Sequence, residues 1–171
     1  MILGDVVAAS KRHQQFALGF NAQGSDPVCT GFSNGRIYAS KFTLSQAGTM
    51  IELHGWFSHS TFVGGTARVV IYADSAGSPA ARLAYTGSYN VTAIGATEIA
   101  EAGFSVALTP ADYWIGFISQ VTSGNPSCYG DDTGGTHKGL TLGATYTPPP
   151  DPFPSPDTSG TRKHSCWAVL V

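Results

Sequence analysis

The stretch ARVVIYAD, residues 67–74, decides the fold. Val69, Ile71 and Ala73 fall on one side of an extended chain and Arg68, Val70, Tyr72 and Asp74 on the other, the two-residue alternation of a β-strand. Its β-branched and aromatic residues suit a pleated, half-buried surface. Directly after it, DSAGSP at 74–79 brings Asp74, Gly77 and Pro79 together, which favours a hairpin or short loop over a helix start. Upstream, MIELHGWF at 50–57 alternates Ile51, Leu53 and Phe57 with Glu52, His54 and Trp56, a second amphipathic strand.

Working outward, short runs bounded by Gly, Ser, Pro or Asp predict strands over 37–44, 50–57, 67–73, 82–91, 104–108, 113–119, 140–146 and 165–171. The best helical stretch, TEIAEAGF at 97–104, is broken by Gly103 after about six residues, too few for a stable helix. Strands without helices for parallel crossovers imply antiparallel sheets stacked as an all-β sandwich, jelly-roll-like. Residues 1–35, which end in the turn-rich AQGSDPVCTGFSNG, read as an extended N-terminal arm or edge strand followed by a long loop, with the sandwich domain over 36–171. The proline-rich loop at 147–157 carries six prolines between Pro148 and Pro156, so it is expected to run extended across a surface or a neighbouring subunit.

Composition narrows the classes. The 171 residues are 42% hydrophobic and only 12% charged, with a net charge of -2, which argues against bulk disorder. Gly, Ser and Thr make up close to a third of the chain, with no G-X-Y period, so collagen is excluded and a hydroxyl-surfaced, turn-rich protein favoured. Nine Lys and Arg spread from Lys11 to Lys163 form no basic stripe, and no nucleic acid partner is expected. No apolar run is long enough for a membrane helix, so no membrane partner is expected either. The start, MILGDVVAAS, has no positive residue before its apolar stretch, which Gly4 and Asp5 interrupt, and does not read as a secretory signal. Cys29, Cys128 and Cys166 allow at most one intrachain disulfide, and only His164 with Cys166 approaches metal-ligand spacing.

Half of the chain, 36–120, resembles a β-sandwich module of tailed-phage virion proteins and bacterial surface proteins. The resemblance is carried by RIYASKFTLSQAGTMIELHGWF (36–57), ARVVIYADSAGSPAARLAYTG (67–87) and FSVALTPADYWIGF (104–117). Within them, Phe42 to Leu44 match an F-T-L strand end, Val69 to Asp74 a V-x-I-Y-x-D strand, Gly77 to Pro79 a Gly-Pro loop, and Leu108 to Phe117 a Leu, turn and Y-W-x-x-F. Ala111 and Asp112 stand where the family has Gly before the Tyr-Trp pair. Such modules serve capsid decoration, tail fibres and sugar binding alike, so the resemblance implies a virion or surface role and identifies no active site.

The candidate chemistry is sparse. GFSNG at 31–35 spells G-x-S-x-G, but a nucleophile elbow needs a strand before Ser33 and a helix after it, and here a strand follows. Asp131 and Asp132 in CYGDDTGGTHKG could offer oxygens to calcium, without the alternation of a calcium loop; a solvated loop is the plainer reading. Glu98 and Glu101 could act as paired carboxylates only if the fold brought them into one cleft. His54 and Trp56 share a strand face, with His59 nearby, and could form a platform for stacking on a sugar ring; sandwich faces also bury Trp routinely. Trp114 and Trp167 lie in strands and read as core, and His13, His137 and His164 are scattered singly.

The expectation is therefore a non-enzymatic structural virion protein of a tailed bacteriophage, most simply a capsid decoration or cement protein, with no cofactor, metal or catalytic residue. Its partners are other virion proteins of capsid or tail and copies of itself, a trimer fitting a capsid three-fold position. The alternatives are a receptor- or carbohydrate-binding module of a tail fibre, with a glycan at His54 and Trp56, and a hydrolase built on a sandwich.

Overall fold

The computed structural model describes residues 14–25, 36–59, 65–91, 95–121, 126–141 and 148–171. The described residues form strands and no helix: β1 (Phe16–Gly19), β2 (Arg36–Leu44), β3 (Gly48–His59), β4 (Gly65–Ser75), β5 (Ser78–Tyr85), β6 (Tyr89–Val91) and β7 (Thr97–Leu108). They continue with β8 (Ala111–Val121), β9 (Pro126–Cys128), β10 (Gly130–Asp131), β11 (His137–Thr141), β12 (Thr158–Gly160), β13 (Lys163–His164) and β14 (Cys166–Leu170).

The smaller sheet runs β1-β14-β3-β7, with β9 added beside β3; the larger runs β12-β11-β2-β8-β4-β5, with β6 added beside β4. Every pairing is antiparallel. Leaving aside β6 and β9 to β13, the strands taken in chain order are β1, β2, β3, β4, β5, β7, β8 and β14. Their first, last, third and sixth members make one sheet and the other four make the second, which is jelly-roll order. The expected all-β antiparallel sandwich is what the chain adopts. The segment read as arm or edge strand contains β1, which pairs with β14 at the sheet edge.

Between the sheets lies the main core, where Met50, Leu53, Phe57, Val69, Ile71, Ile115, Phe117 and Leu170 are fully buried. Alternation along β3 slips at Ile51, the residue skipped where Val169 faces Glu52 and Leu170 faces Met50, so that Met50 and Leu53 both point inward. A second core lies on the outer side of the larger sheet, where Ile37, Ala39, Val70, Tyr72, Trp114 and Ile118 meet Phe153. Both sides of ARVVIYAD are thus buried, one between the sheets and one under the proline segment.

That segment lies across this chain's own sheet as a strap. The Tyr72 hydroxyl donates to the Pro150 carbonyl at 3.0 Å, the Arg82 backbone N–H to Asp151 Oδ1 at 3.0 Å, and the Phe153 N–H to the Ala80 carbonyl at 2.9 Å. The Arg82 guanidinium also donates to the Pro149 carbonyl. Phe153 stands edge-on to Tyr72 with ring centroids 5.2 Å apart. Sealing a ring of that size from water contributes about 1.5–3 kcal/mol.

The predicted turn after β4 is a two-residue hairpin: Ser75 pairs Ser78, and Ala76 and Gly77 both take positive φ, 52° and 78°, the conformation that matches strand twist. Asp74 holds this corner, accepting the Gly77 N–H at 3.1 Å and the Trp114 indole N–H at 2.7 Å.

Three predicted strands differ in extent. The run 82–91 divides at Thr86, whose hydroxyl accepts the Val69 N–H at 3.0 Å while its own N–H donates to the Val69 carbonyl at 2.9 Å. A side chain there stands in for a ladder carbonyl, and β6 resumes farther along β4. TEIAEAGF is extended, so β7 begins at Thr97 rather than 104; Gly103, at φ 97°, sits in the register irregularity opposite β3. Of the strand expected at 140–146, β11 covers 137–141, and 142–147 lie outside the described residues.

Candidate functional site

Pairing across β14, β3 and β7 puts Trp167, His54 and Ala100 in one row of the smaller sheet, and Trp56 beside Glu98 in the next. Because Leu53 and Phe57 face the core, Glu52, His54 and Trp56 face outward, as their alternation predicts. The His54 ring is fully engaged. Its Nδ1 lies 2.8 Å from Glu98 Oε1, its Nε2 lies 2.7 Å from Glu52 Oε2, and one ring face is stacked on Trp167 at a centroid distance of 4.8 Å.

The His54 side chain keeps only 13% exposure, against 33% for Glu52 and 37% for Glu98. Trp167 is buried and Trp56 half-buried. Ala17, Ala100 and Ala102 on the same face are exposed. The result is a surface on which two carboxylates flank His54, with exposed alanines and the half-buried Trp56 indole around them. It can accept hydrogen bonds and pack against a flat partner.

The other candidates separate. Glu98 and Glu101 do not converge: Glu98 bonds His54, whereas Glu101 accepts the Gly87 N–H at 2.6 Å and the Tyr89 hydroxyl at 3.0 Å. That contact and burial hold the Tyr89 phenol above its ordinary range, burial first. Asp131 and Asp132 turn to different cations, Lys163 at 3.9 Å and Arg162 at 2.9 Å. No group of three or more His, Cys, Asp or Glu able to hold a metal occurs among the described residues. Trp114 is fully buried. Ser33, His13, Cys29 and the His59 side chain lie outside the described residues.

His137 and His164, unpromising in the sequence, are brought together with Tyr38 where β2 meets β11 and the return from β12 to β13. His164 is completely buried, with Nδ1 2.7 Å from Ser40 Oγ. Burial, aided by His137 and Arg162 nearby, pushes its pKa down to about 3 and leaves it neutral. His137 Nδ1 accepts the Arg162 N–H at 3.2 Å, which places the proton of the neutral ring on Nε2. Its pKa is also lowered, by burial and then by the Arg162 charge. Ser40 and His164 resemble a nucleophile and base in contact, but both are fully buried, so they serve as a core polar pair. Outside them opens a polar cleft of about 470 Å³, lined by Tyr38, Asp132, His137, Thr158, Thr161 and Arg162. Sequence reasoning missed it because strands of two to five residues assemble it, too short to leave a periodic signal.

Comparison of the chain with protein-family models, with curated proteins and with solved structures found no match.

Proposed function

We propose that this chain is a non-enzymatic structural protein of a tailed-phage particle, a jelly-roll subunit that attaches to the capsid surface as a decoration or cement protein. The observation that carries the reading is the outer face of the smaller sheet. A half-buried Trp56 and exposed alanines lie there around Glu52 and Glu98, while His54, the only histidine on the face among the described residues, is locked by both carboxylates and Trp167. A surface of small apolar side chains and an indole suits packing against another protein, since interface cores are enriched in aromatic residues. Two further points support it. The runs that carry the sequence resemblance fall on β2 through β5, β7 and β8, strands of the two sheets. Jelly rolls also recur in viral capsids, which is an analogy of fold.

Sedimentation with particles stripped of surface proteins tests the proposal. Saturable binding at a fixed ratio to the major capsid subunit, lost in Trp56→Arg, is the expected result. A chain that stays in the supernatant at all concentrations overturns it.

The half-buried Trp56 also favours a second reading, a glycan-binding module of a tail fibre. Saccharide binding abolished by Trp56→Ala, with no affinity for capsids, would select it.

A further inference from the structure

Cys128 and Cys166 lie on two strands that share one edge of β3, Cys128 opposite Phe57 and Cys166 opposite Gly55. Both are fully buried, and their Sγ atoms are 3.9 Å apart with no disulfide between them. The backbones that carry them are tied together: the Trp56 N–H donates to the Ser165 carbonyl at 2.9 Å, the Tyr129 N–H to the Trp56 carbonyl at 3.0 Å, and the Ser165 N–H to the Tyr129 carbonyl at 2.8 Å. Gly55 keeps the space open, since a Cβ there would stand 3.3 Å from Cys166 Sγ and 2.8 Å from the Phe57 ring.

A disulfide needs sulfurs about 2.05 Å apart on neighbouring chains with converging Cβ atoms. The sulfurs already stand 3.9 Å apart, with both residues buried in the same core on strands held at one edge of β3, and rotation of the side chains is the movement that would bring them to bonding distance. The Cys128 thiol would give up its contact with the Tyr129 carbonyl, 3.2 Å away.

We propose that Cys128 and Cys166 form a disulfide when the chain folds in an oxidising environment, closing the segment from the end of β9 to the start of β14 that carries the proline strap. The oxidant is a small-molecule disulfide such as oxidised glutathione. One cysteine thiolate attacks it, forming a mixed disulfide and expelling one glutathione thiolate. The second cysteine thiolate then attacks the protein sulfur and expels the other. The cysteines together lose two protons and two electrons, and the oxidant becomes two thiols. Because both sulfurs are sealed in the folded core, exchange takes place before the core closes, and the finished bond is shielded from reductant.

The test is to refold the denatured full chain in a glutathione redox buffer, quench with an alkylating reagent under denaturing conditions, and map unreduced peptides by mass spectrometry. The expected product is two hydrogens lighter than the reduced chain before alkylation, contains a 128–166 cross-linked peptide, and afterwards has one alkylated site, Cys29. Its thermal midpoint should exceed that of the reduced chain by on the order of 10 °C. Cys29→Ser should yield the same cross-link and no alkylated site. Three alkylated cysteines after folding to the native state, or a cross-link that includes Cys29, overturns the proposal.

Discussion

The imidazole of His54 lies flat against the indole of Trp167, ring centroids 4.8 Å apart and planes inclined by 14°. The two are direct cross-strand partners, and the indole beneath is 7% exposed. Trp167→Ala should therefore cost about 3–5 kcal/mol of unfolding free energy, as large-to-small changes of buried aromatics do. Trp56→Ala, on the same face but half-buried, should cost less than half as much. Urea denaturation of the two variants checks the ordering. Equal losses would mean that Trp56 is as much a core residue as Trp167.

The proline strap gives a second expectation. Removing the Phe153 ring deprives Tyr72 and Trp114 of their cover and should destabilise the fold by about 3–5 kcal/mol. Cleavage within 148–157 by a nonspecific protease should become much faster. Tyr72→Phe, which removes only the hydrogen bond to Pro150, should cost about 1 kcal/mol. Unchanged proteolysis in Phe153→Ala would show that the main-chain bonds alone hold the strap.

Acid should weaken the fold through the buried histidines. In the unfolded chain His164 titrates near the ordinary value of about 6.5, while burial depresses it to about 3 in the fold. Stability is then complete above pH ~6.5 and declines as pH falls toward ~3, because the unfolded chain takes up the proton that the core refuses. The slope is on the order of 1 kcal/mol per pH unit, and His137 acts in the same direction. Denaturation midpoints between pH 7 and 4 should show this fall, reduced in His164→Gln. A flat profile would refute the assignment.

Ala76 is the one non-glycine residue with positive φ among the described residues. A left-handed alanine costs roughly 1–2 kcal/mol, and asparagine adopts the conformation more readily. Ala76→Asn should raise the unfolding free energy by about 0.5–1 kcal/mol, measurable as a higher urea midpoint with unchanged slope.

Period-two patterning made β3 and β4 legible in the sequence, and runs of β-branched and aromatic residues between turn residues marked β2 and β8. It misjudged 97–104, where local helical preference yields to pairing of β7 along β3. It could not reach β9, β10, β12 and β13, two or three residues each, whose partners are supplied by tertiary structure. At the candidate site, the shared face of His54 and Trp56 followed from spacing. Glu98 and Trp167, which fix the imidazole, are 44 and 113 positions away from His54 in the chain. No local pattern links them. The strap shows the same division: six prolines announced an extended segment, and only the apolar outer side of β4 determined where it would lie.

The place of β14 has a consequence for biosynthesis. It is the seam that joins β1 to β3, so two strands that leave the ribosome well before it have no common neighbour until residues 166–170 emerge. Closure of the smaller sheet therefore waits for β14. A pause or fusion that delays this strand should prolong the period in which Phe16, Leu18, Met50 and Leu53 are open to chaperones or to strands of another nascent chain.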